Sequence, residues 1–228
     1  MPIVFSVPET IVVHLGTPDD TTAGNVTVPF IDYIKNVASS EIYPTWPESA
    51  IRANILAQIS FALNRIFTEH YRVQGYNFDI TNNTQFDQAF VYGRSIFDNI
   101  SQIVDEIFND YIVRQGDITP LFARYCDGRT SSCPGGLSQW GSVSLAEEGF
   151  TPYRILTSYY GDISLVEDAP VANLGESRRA SQAGCCDGKW QNPHRRWLPP
   201  VRCPEIHSWS GSKRRRKQPR SKRRSASQ

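Results

Sequence analysis

Apolar residues recur at helical spacing along one long segment, which predicts a buried central helix. Five branched residues follow one another at three- or four-residue intervals: Ile51, Ile55, Ile59, Leu63 and Ile66. Four alanines on the same segment leave room for a neighbouring element to approach: Ala50, Ala53, Ala57 and Ala62. Pro47 suits the first helical position, because its φ is fixed and it has no N–H to satisfy. We therefore expect a core helix from Pro47, capped by Thr45 or Trp46, to near Gly75.

Shorter patterns predict the elements on either side of this helix. β-branched residues favour strands, and asparagine, aspartate and glycine favour turns. The other predicted elements, in chain order, are strands over residues 10–15 and 25–30, a short helix over 31–39, strand and loop over 77–93, a helix from Ser95 or Asp98 to about 115, a strand over 121–125, helices over 138–148 and 153–159, and a strand over 163–166. Strands and helices in this irregular order predict an α+β fold.

Charge divides the chain into two parts. Residues 1–168 hold nine Lys or Arg against twenty Asp or Glu, whereas residues 169–228 hold fifteen against three. The second part has few aromatic and branched aliphatic residues, too few to offset the entropy of ordering its backbone. We therefore expect one globular domain over 1–168, followed by a disordered basic tail over 169–228.

Two interpretations of the tail stay open. Clustered Arg and Lys suit a polyanion, although no other feature favours nucleic acid as a partner. The abrupt loss of Phe, Tyr and aliphatic residues is equally what a shifted reading frame would produce. Cysteine and histidine in the tail lack any accepted zinc spacing, so no metal site is expected there; these residues are Cys185, Cys186, Cys203, His194 and His207.

The beginning of the chain shows no export signal. Residues 1–5 lack basic residues, and Pro8 and Glu9 interrupt the apolar run that follows. No segment reaches the roughly 18 apolar residues that a membrane-spanning helix requires. The sequence therefore predicts a chain without a membrane span.

Two blocks of sequence carry a resemblance to a known family. Residues 28–62, VPFIDYIKNVASSEIYPTWPESAIRANILAQISFA, are similar to the opening motif of the stage II sporulation protein D and LytB amidase-enhancer (SpoIID/LytB) family, with its Ser-Glu-Met-Pro turn. Residues 136–161, GLSQWGSVSLAEEGFTPYRILTSYYG, resemble that family's Gly-Met-Ser-Gln-Tyr-Gly and Ile-Leu-Tyr-Tyr-Tyr-Gly motifs, in the same order. The resemblance spans about residues 8–166.

The resemblance makes Glu41 the candidate catalytic residue. In the sporulation branch the family is associated with lytic transglycosylase action on peptidoglycan glycan strands, and Glu41 matches its catalytic glutamate. A carboxyl whose pKa is raised by apolar neighbours can protonate a glycosidic oxygen near neutrality, and Ile42, Tyr43 and Trp46 are the expected neighbours. The alternative is an acidic residue in a turn, satisfied by a helix dipole and by backbone N–H groups.

Other residues that match the motifs are candidates for binding substrate. The aromatic rings of Tyr43, Trp46 and Trp140 could stack on sugars, and Ser138 and Gln139 could hydrogen-bond to them. For Ser138–Trp140 the alternative is a helix cap followed by a buried aromatic residue. Asp79 and Asp87 could line the same cleft, or they could serve in turns.

Three departures from the family pattern weaken the expectation of catalysis. Ile59 stands where the family helix carries a basic residue. Residues 81–86, TNNTQF, replace a Cys-Asp-Thr-Thr-His-Cys segment that holds zinc in some members, so we expect neither a metal nor another cofactor. Cys133 stands about where the family has a histidine. With Cys126 it could form a structural disulfide, or both could stay free thiols; a nucleophilic role would need a histidine partner, and only His14 and His70 lie in the domain.

Three functions therefore remain. The first is a lytic transglycosylase-like enzyme that cleaves glycan strands through Glu41. The second is a noncatalytic peptidoglycan-binding or amidase-enhancing protein, with a cell-wall amidase as partner. The third is a structural component of the spore or envelope. The resemblance implies a place in the cell wall or spore envelope, or in the mother-cell cytoplasm before assembly.

Overall fold

The computed structural model describes residues 4–172, and this part of the chain has the α+β fold that the sequence predicts. It contains five α-helices and nine short strands. The helices are α1 Phe30–Glu41, α2 Glu48–Phe67, α3 Asp98–Ile107, α4 Gln139–Glu147 and α5 Pro152–Tyr160. The strands are β1 Val7–Pro8, β2 Thr10–His14, β3 Asn25–Pro29, β4 Ile80–Thr81, β5 Tyr111–Arg114, β6 Tyr125–Cys126, β7 Leu137–Ser138, β8 Ile163–Val166 and β9 Val171–Ala172.

Helix α2 lies at the centre of the fold. Thirteen of its twenty residues are buried, including all four of the alanines that the sequence assigns to close contacts. Helices α1, α4 and α5 and strand β5 pack around it. The polar residues that α2 buries are paired: Asn54 donates to Ser142 Oγ at 2.8 Å, and Ser60 Oγ accepts from the backbone N–H of Ile112 at 2.8 Å. The central helix thus joins most of the other elements into one core.

The strands form four small sheets around this core. Strand β2 pairs antiparallel with β3 and parallel with β4, which makes a three-stranded sheet in the order β3-β2-β4. Strands β5 and β8 pair antiparallel. Strands β6 and β7 pair parallel, as do β1 and β9. The β6–β7 pair places Tyr125 opposite Leu137, directly before α4, and this pairing helps to build the site described below.

Several boundaries differ from the sequence-based prediction. Pro47 is the N-cap of α2 and not its first residue. Helix α2 ends at Phe67, well before Gly75, and Glu69, two residues after the helix, adopts φ 50°. Helix α3 ends at Ile107, and Tyr111 starts strand β5 instead of continuing the helix. The strand predicted over 121–125 is wrong except at Tyr125, which begins β6. Strand β9, Val171–Ala172, pairs with β1 and lies within the expected tail.

Two further findings bear on the expectations above. Among residues 4–172, no helix is long and apolar enough to cross a membrane. Residues 173–228, which make up most of the expected tail and include its cysteine and histidine residues, lie outside the described residues.

Candidate active site

Glu41 is the last residue of α1. The sequence motif suggests a turn at this position, and that expectation is wrong. The helix begins at Phe30, directly after strand β3, and runs two residues beyond the predicted end at Ser39. It stops at Ile42, whose extended backbone donates its N–H to the carbonyl of Ala38. Glu41 therefore lies at the negative end of the α1 dipole, which disfavours a carboxylate.

Both carboxylate oxygens of Glu41 accept hydrogen bonds from other parts of the chain. The backbone N–H of Ala89 donates to Oε1 at 2.8 Å. The side chain of Gln58, on α2, donates from Nε2 to Oε2 at 2.9 Å. Gln58 is almost fully buried, and its Oε1 has no hydrogen-bond partner. If this amide turned over, Oε1 could accept the proton of a neutral Glu41, so Gln58 can serve either protonation state.

Two tyrosines and a glutamine continue the hydrogen-bonded network behind Glu41. Tyr33 donates from its hydroxyl to Gln88 Oε1 at 3.0 Å. Gln88 Nε2 in turn donates to the Tyr125 hydroxyl at 2.9 Å and to the backbone carbonyl of Gln58 at 3.1 Å. We call Glu41, Gln58, Gln88, Tyr33 and Tyr125 the Glu41 network. Its members come from α1, α2, β6 and the loop after β4, so the position of Glu41 is fixed by four separate segments.

Burial raises the pKa of Glu41 above its ordinary value, although the Ala89 N–H, Tyr125 and Gln58 act in the opposite direction. Burial is also the main reason why the pKa of Tyr125 is well above the usual value for tyrosine, and the charge of Glu41 adds to it. The pKa of Tyr33 is raised in the same way. Glu41 is thus the carboxyl of the network, and its raised pKa favours the protonated form that a general acid requires.

Three aromatic residues that the sequence singles out lie together in space. The ring centroids of Trp46 and Trp140 are 4.9 Å apart, and Tyr43 lies 5.6 Å from Trp46 and 5.7 Å from Trp140. Trp46 is largely buried, whereas Tyr43 is 56% exposed. We call Tyr43, Trp46 and Trp140 the aromatic triad. Tyr43 follows Glu41 by two residues, so the triad and the candidate carboxylate share one segment of the chain.

A disulfide-closed loop over residues 126–133 places a cation on the triad. Cys126 and Cys133 form a disulfide, the structural pairing that the sequence allows. Within the loop, Asp127 accepts hydrogen bonds from the backbone and side chains of Thr130 and Ser131, and these bonds keep the pKa of Asp127 well below its usual value. The guanidinium of Arg129 lies 3.4 Å from the centroid of the Trp140 ring. The loop thus carries an exposed positive charge to the face of an aromatic residue.

Ser138 and Gln139 have structural contacts next to the triad. Ser138 is the N-cap of α4, and its hydroxyl accepts from the backbone N–H of Gly141 at 2.9 Å. Gly128, with φ 77°, lies so close that an added Cβ would be 1.8 Å from Ser138 Oγ. Gln139 is 7% exposed. These contacts leave Trp140 as the residue of this motif that is best placed to meet a ligand.

The residues that depart from the family pattern also have clear structural roles. Ile59 is fully buried in the core, so the site has no basic residue at that position. Asp87 directly follows residues 81–86, the segment that replaces the family's zinc loop. Its carboxylate forms an ion pair with Arg65 at 2.8 Å and accepts a hydrogen bond from the backbone N–H of Thr81 at 2.9 Å. Asp79 pairs with Arg72 in a similar way, at 2.6 Å. Among residues 4–172, no cluster of three or more His, Cys, Asp or Glu side chains could hold a metal ion.

Sequence reasoning missed most of the groups that surround Glu41. Ala89 acts through its backbone, which leaves no trace in residue type. Gln58 did carry a signal, because it and Asn54 are polar residues one turn apart on an otherwise apolar buried helix. Arg129 lies in the loop that the disulfide closes, and its contact with Trp140 joins residues eleven positions apart, which residue type alone does not reveal.

Comparisons with known proteins relate part of this chain to a family. Residues 19–107 match the model of the SpoIID family, described as stage II sporulation protein. This part of the chain is similar to the SpoIID family. The match includes Glu41, Gln58 and Ala89, confirms the resemblance found in the sequence, and relates the protein to sporulation and the cell wall. The second block, residues 136–161, lies beyond the matched residues, so its similarity to the family is supported by the sequence motifs alone.

An uncharacterized protein of Brachyspira hyodysenteriae is 28% identical to this chain over 102 residues. The aligned region covers 44% of this chain and 27% of the relative. The match therefore spans about a quarter of that longer protein, whose printed name assigns it no activity.

Proposed function

We propose that the SpoIID-type domain binds peptidoglycan glycan strands and cleaves them in the manner of a lytic transglycosylase, with Glu41 as the general acid and base. The observation that carries this proposal is the Glu41 carboxyl itself, which is partly buried, has a raised pKa and is held by Ala89 and Gln58. A raised pKa lets a carboxyl deliver a proton near neutrality, and one such group is sufficient for this reaction.

In the proposed reaction, protonated Glu41 gives its proton to the glycosidic oxygen, and the bond between that oxygen and C1 breaks. The carboxylate then takes the proton of the C6 hydroxyl on the same sugar, whose oxygen bonds to C1 and closes a 1,6-anhydro ring. No water is consumed, and Glu41 regains its proton. Ordinary glycoside hydrolysis uses a second carboxylate, which this reaction does not require.

The aromatic triad and Arg129 would supply binding energy. Tyr43 offers an exposed ring face to a sugar, and Trp46 and Trp140 hold that ring in place. Arg129 gives the same surface a positive charge, which suits the sugar carboxylate of a glycan strand whose stem peptides have been removed. This charge would replace the basic residue that is missing at Ile59.

One observation favours a noncatalytic function on the same scaffold. Both oxygens of Glu41 already accept hydrogen bonds from protein groups, so Glu41 could simply fasten α1 to α2 and to the segment after β4. The domain would then bind glycan strands, or assist a cell-wall amidase, without cleaving them. A purely structural role in the spore or envelope would leave the triad without a ligand.

The test is to incubate the full chain with purified peptidoglycan, both intact and stripped of stem peptides, and to search for anhydro sugars by mass spectrometry. We expect Glu41→Gln to lower the rate by about 10² to 10⁴, because it keeps the hydrogen bonds but cannot transfer a proton. Glu147→Gln makes the same substitution on the exposed surface of α4 and should retain activity.

Equal turnover in Glu41→Gln and wild type would rule out Glu41 as the acid. Binding of peptidoglycan by wild type without any anhydro product would favour the noncatalytic function.

A further inference from the structure

The side chain of Asp87 is fully buried, and its carboxylate is held from several directions. Arg65 donates from Nε to Oδ1 at 2.8 Å. The Tyr71 hydroxyl donates to Oδ2 at 2.6 Å, and Thr81 donates to the same oxygen from its backbone N–H at 2.9 Å and from its hydroxyl at 2.7 Å. We call these four residues the Asp87 cluster. Its members come from α2, the turn after α2, and β4, so the position of Asp87 is closely defined.

Arg65 is itself held between aromatic rings. Its guanidinium carbon lies 4.7 Å from the ring centroid of Phe122 and 5.2 Å from that of Phe61. Its Nη2 also donates to the backbone carbonyl of Phe86 at 3.1 Å. A guanidinium that is stacked in this way loses little further freedom when it pairs with a carboxylate. The ion pair between Arg65 and Asp87 is therefore rigid.

Asp87 precedes by two residues the backbone group that contacts Glu41. The N–H of Ala89 donates to Glu41 Oε1 at 2.8 Å. The residue between them, Gln88, is fully buried, and its Nε2 donates to the backbone carbonyl of Gln58 at 3.1 Å. Because peptide units are planar, few rotatable bonds separate Asp87 from the Ala89 N–H. A displacement of the Asp87 backbone is therefore transmitted to that N–H.

The other end of this segment is fastened to α1. The Val91 N–H donates to Asn36 Oδ1, and Asn36 Nδ2 donates to the Val91 carbonyl, each at 2.9 Å. Phe90 is buried and stacks on Tyr33 of α1, with ring centroids 5.5 Å apart. These contacts hold the segment to α1, whereas the Asp87 cluster ties it to α2 and β4. The Ala89 N–H thus lies between two fixed points.

We propose that Asp87 is a positioning residue for Glu41: paired with Arg65, it holds the Ala89 N–H against Glu41 Oε1. Asp87 acts through the backbone and not by contact with a substrate. In the proposed reaction the Glu41 carboxylate takes the C6 proton, and the Ala89 N–H stabilises that carboxylate. The inference rests on the proposed function for its effect on the rate, whereas its effect on the protonation of Glu41 can be measured whether or not the protein cleaves glycan.

The experiment measures the pKa of Glu41 in the full chain by NMR, from the carboxyl signals of isotope-labelled glutamate between about pH 4 and 8. The signal of Glu41 is the one that Glu41→Gln removes. The titratable groups of the Glu41 network besides Glu41 are Tyr33 and Tyr125, and burial raises the pKa of each, so both stay neutral over this range.

We expect Asp87→Asn to raise the pKa of Glu41 by about one pH unit, because it weakens a hydrogen bond that favours the charged form. The pH dependence of anhydro-sugar formation should move to higher pH by a similar amount. A role in stability alone would change neither quantity.

Asp79→Asn is the matched control. Asp79 is also a buried carboxylate: it pairs with Arg72 at 2.6 Å and accepts from the Val12 N–H at 2.9 Å. These partners lie in the turn after α2 and in β2, and not in the segment that reaches Glu41. Asp79→Asn should therefore destabilise the fold much as Asp87→Asn does, while leaving the pKa of Glu41 unchanged.

Tyr71→Phe is a milder second variant. It removes one donor to Asp87 and keeps the ring, so it should fold and raise the pKa of Glu41 by a smaller amount. If Asp87→Asn does not fold, this variant decides the question.

The possible results separate the positioning role from the proposed function. An unchanged Glu41 pKa in the folded variants of the Asp87 cluster would overturn the positioning role and leave the proposed function standing. An equal rise in Asp79→Asn would also overturn it, because the effect would then be a general response to a lost ion pair. Absence of anhydro products from wild type would overturn the proposed cleavage, while a pKa raised in Asp87→Asn and not in Asp79→Asn would still support the positioning of Glu41.

Discussion

Glu41 is subject to two opposing influences that decide its charge. Burial and the end of α1 favour the neutral acid, whereas the Ala89 N–H, Gln58 and Tyr125 favour the carboxylate. Burial is the largest of these, so the net effect is a raised pKa. A group that is easier to protonate in the folded chain than in the unfolded chain makes stability depend on pH.

We predict that the wild-type protein loses stability relative to Glu41→Gln as pH rises. In the folded chain the pKa of Glu41 lies above the value of about 4.3 that an unfolded glutamate has, so its stabilising contribution is complete below that pH. As pH rises through the folded pKa that contribution disappears, at no more than about 1.4 kcal/mol per pH unit. Tyr33 and Tyr125 stay neutral over this range because burial raises the pKa of each.

Urea denaturation of both proteins between about pH 4 and 8 measures this difference. The variant should fold normally, because Gln58 can turn its unpaired Oε1 toward the new amide. A free-energy difference that is constant with pH would show that the Glu41 pKa is the same in the folded and unfolded chains.

At the scale of single residues, the sequence predicts which residues belong to the candidate site better than it predicts which groups contact them. Glu41, Tyr43, Trp46 and Trp140 could be chosen from motifs, and the three rings do meet. The donors to Glu41 could not be chosen, because the Ala89 bond depends on backbone geometry and on long-range packing. Whether Glu41 acts in catalysis stays a prediction.

Among the elements, the disulfide loop is the one most directly tied to the candidate site. The loop begins at Cys126, the last residue of β6, and ends at Cys133, before β7, and these two strands are paired. Tyr125 of β6 belongs to the Glu41 network. The loop also carries Arg129 to Trp140. Closing a loop of this length removes freedom from the unfolded chain and stabilises the fold by about 2 kcal/mol in the chain-entropy model.

We predict that the Cys126→Ser/Cys133→Ser double variant melts roughly 4–8 °C below wild type under oxidising conditions. It should also bind glycan more weakly, because Arg129 is no longer held against Trp140. Melting curves with and without reductant are the measurement: wild type should respond to the reductant and the double variant should not. Free alkylation of both cysteines in oxidised wild-type protein would contradict the pairing.

The elements that the sequence predicted well are those with a local signal. Helix α5 has a Thr151 cap and Pro152 at its first position, and β2 has a run of β-branched residues. The errors arise where a distant partner decides. Tyr111 continues an apolar helical pattern, yet it starts β5 because β8 offers a neighbouring strand. Helix α2 ends at Phe67, before any glycine, and Glu69 then adopts a left-handed φ that its residue type does not predict.

On the scale of the whole molecule, the described residues, 4–172, lie almost entirely in the acidic part of the chain, and only four of them belong to the basic part. The acidic part over 1–168 forms nearly all of the core, and β9 adds Val171 and Ala172 to it by pairing with β1. The Val7 N–H donates to Pro170 O at 2.8 Å, and the Glu9 N–H donates to Ala172 O at 3.0 Å. This pair therefore joins the last described residues to the first strand of the fold.

We predict that a chain ended after Ala172 keeps the denaturant midpoint of the full chain, whereas one ended after Asp168 is less stable by about 2 kcal/mol. The shorter chain loses the backbone hydrogen bonds between β1 and β9, each worth about 1 kcal/mol net. Urea midpoints at equal slope give the comparison. If ending the chain after Ala172 costs as much as ending it after Asp168, residues beyond 172 contribute to the fold.

The β1–β9 pair also has a consequence for the order in which the protein folds. Val7 is made before α1 to α5, but its partner Val171 emerges from the ribosome only after all five helices have been made. Contacts between such distant residues form late, since closing a long loop is entropically costly until the intervening chain is compact. The N-terminal strand therefore stays unpaired during synthesis and joins last, and the newly made domain exposes the apolar surface beneath Val7 until that step is complete.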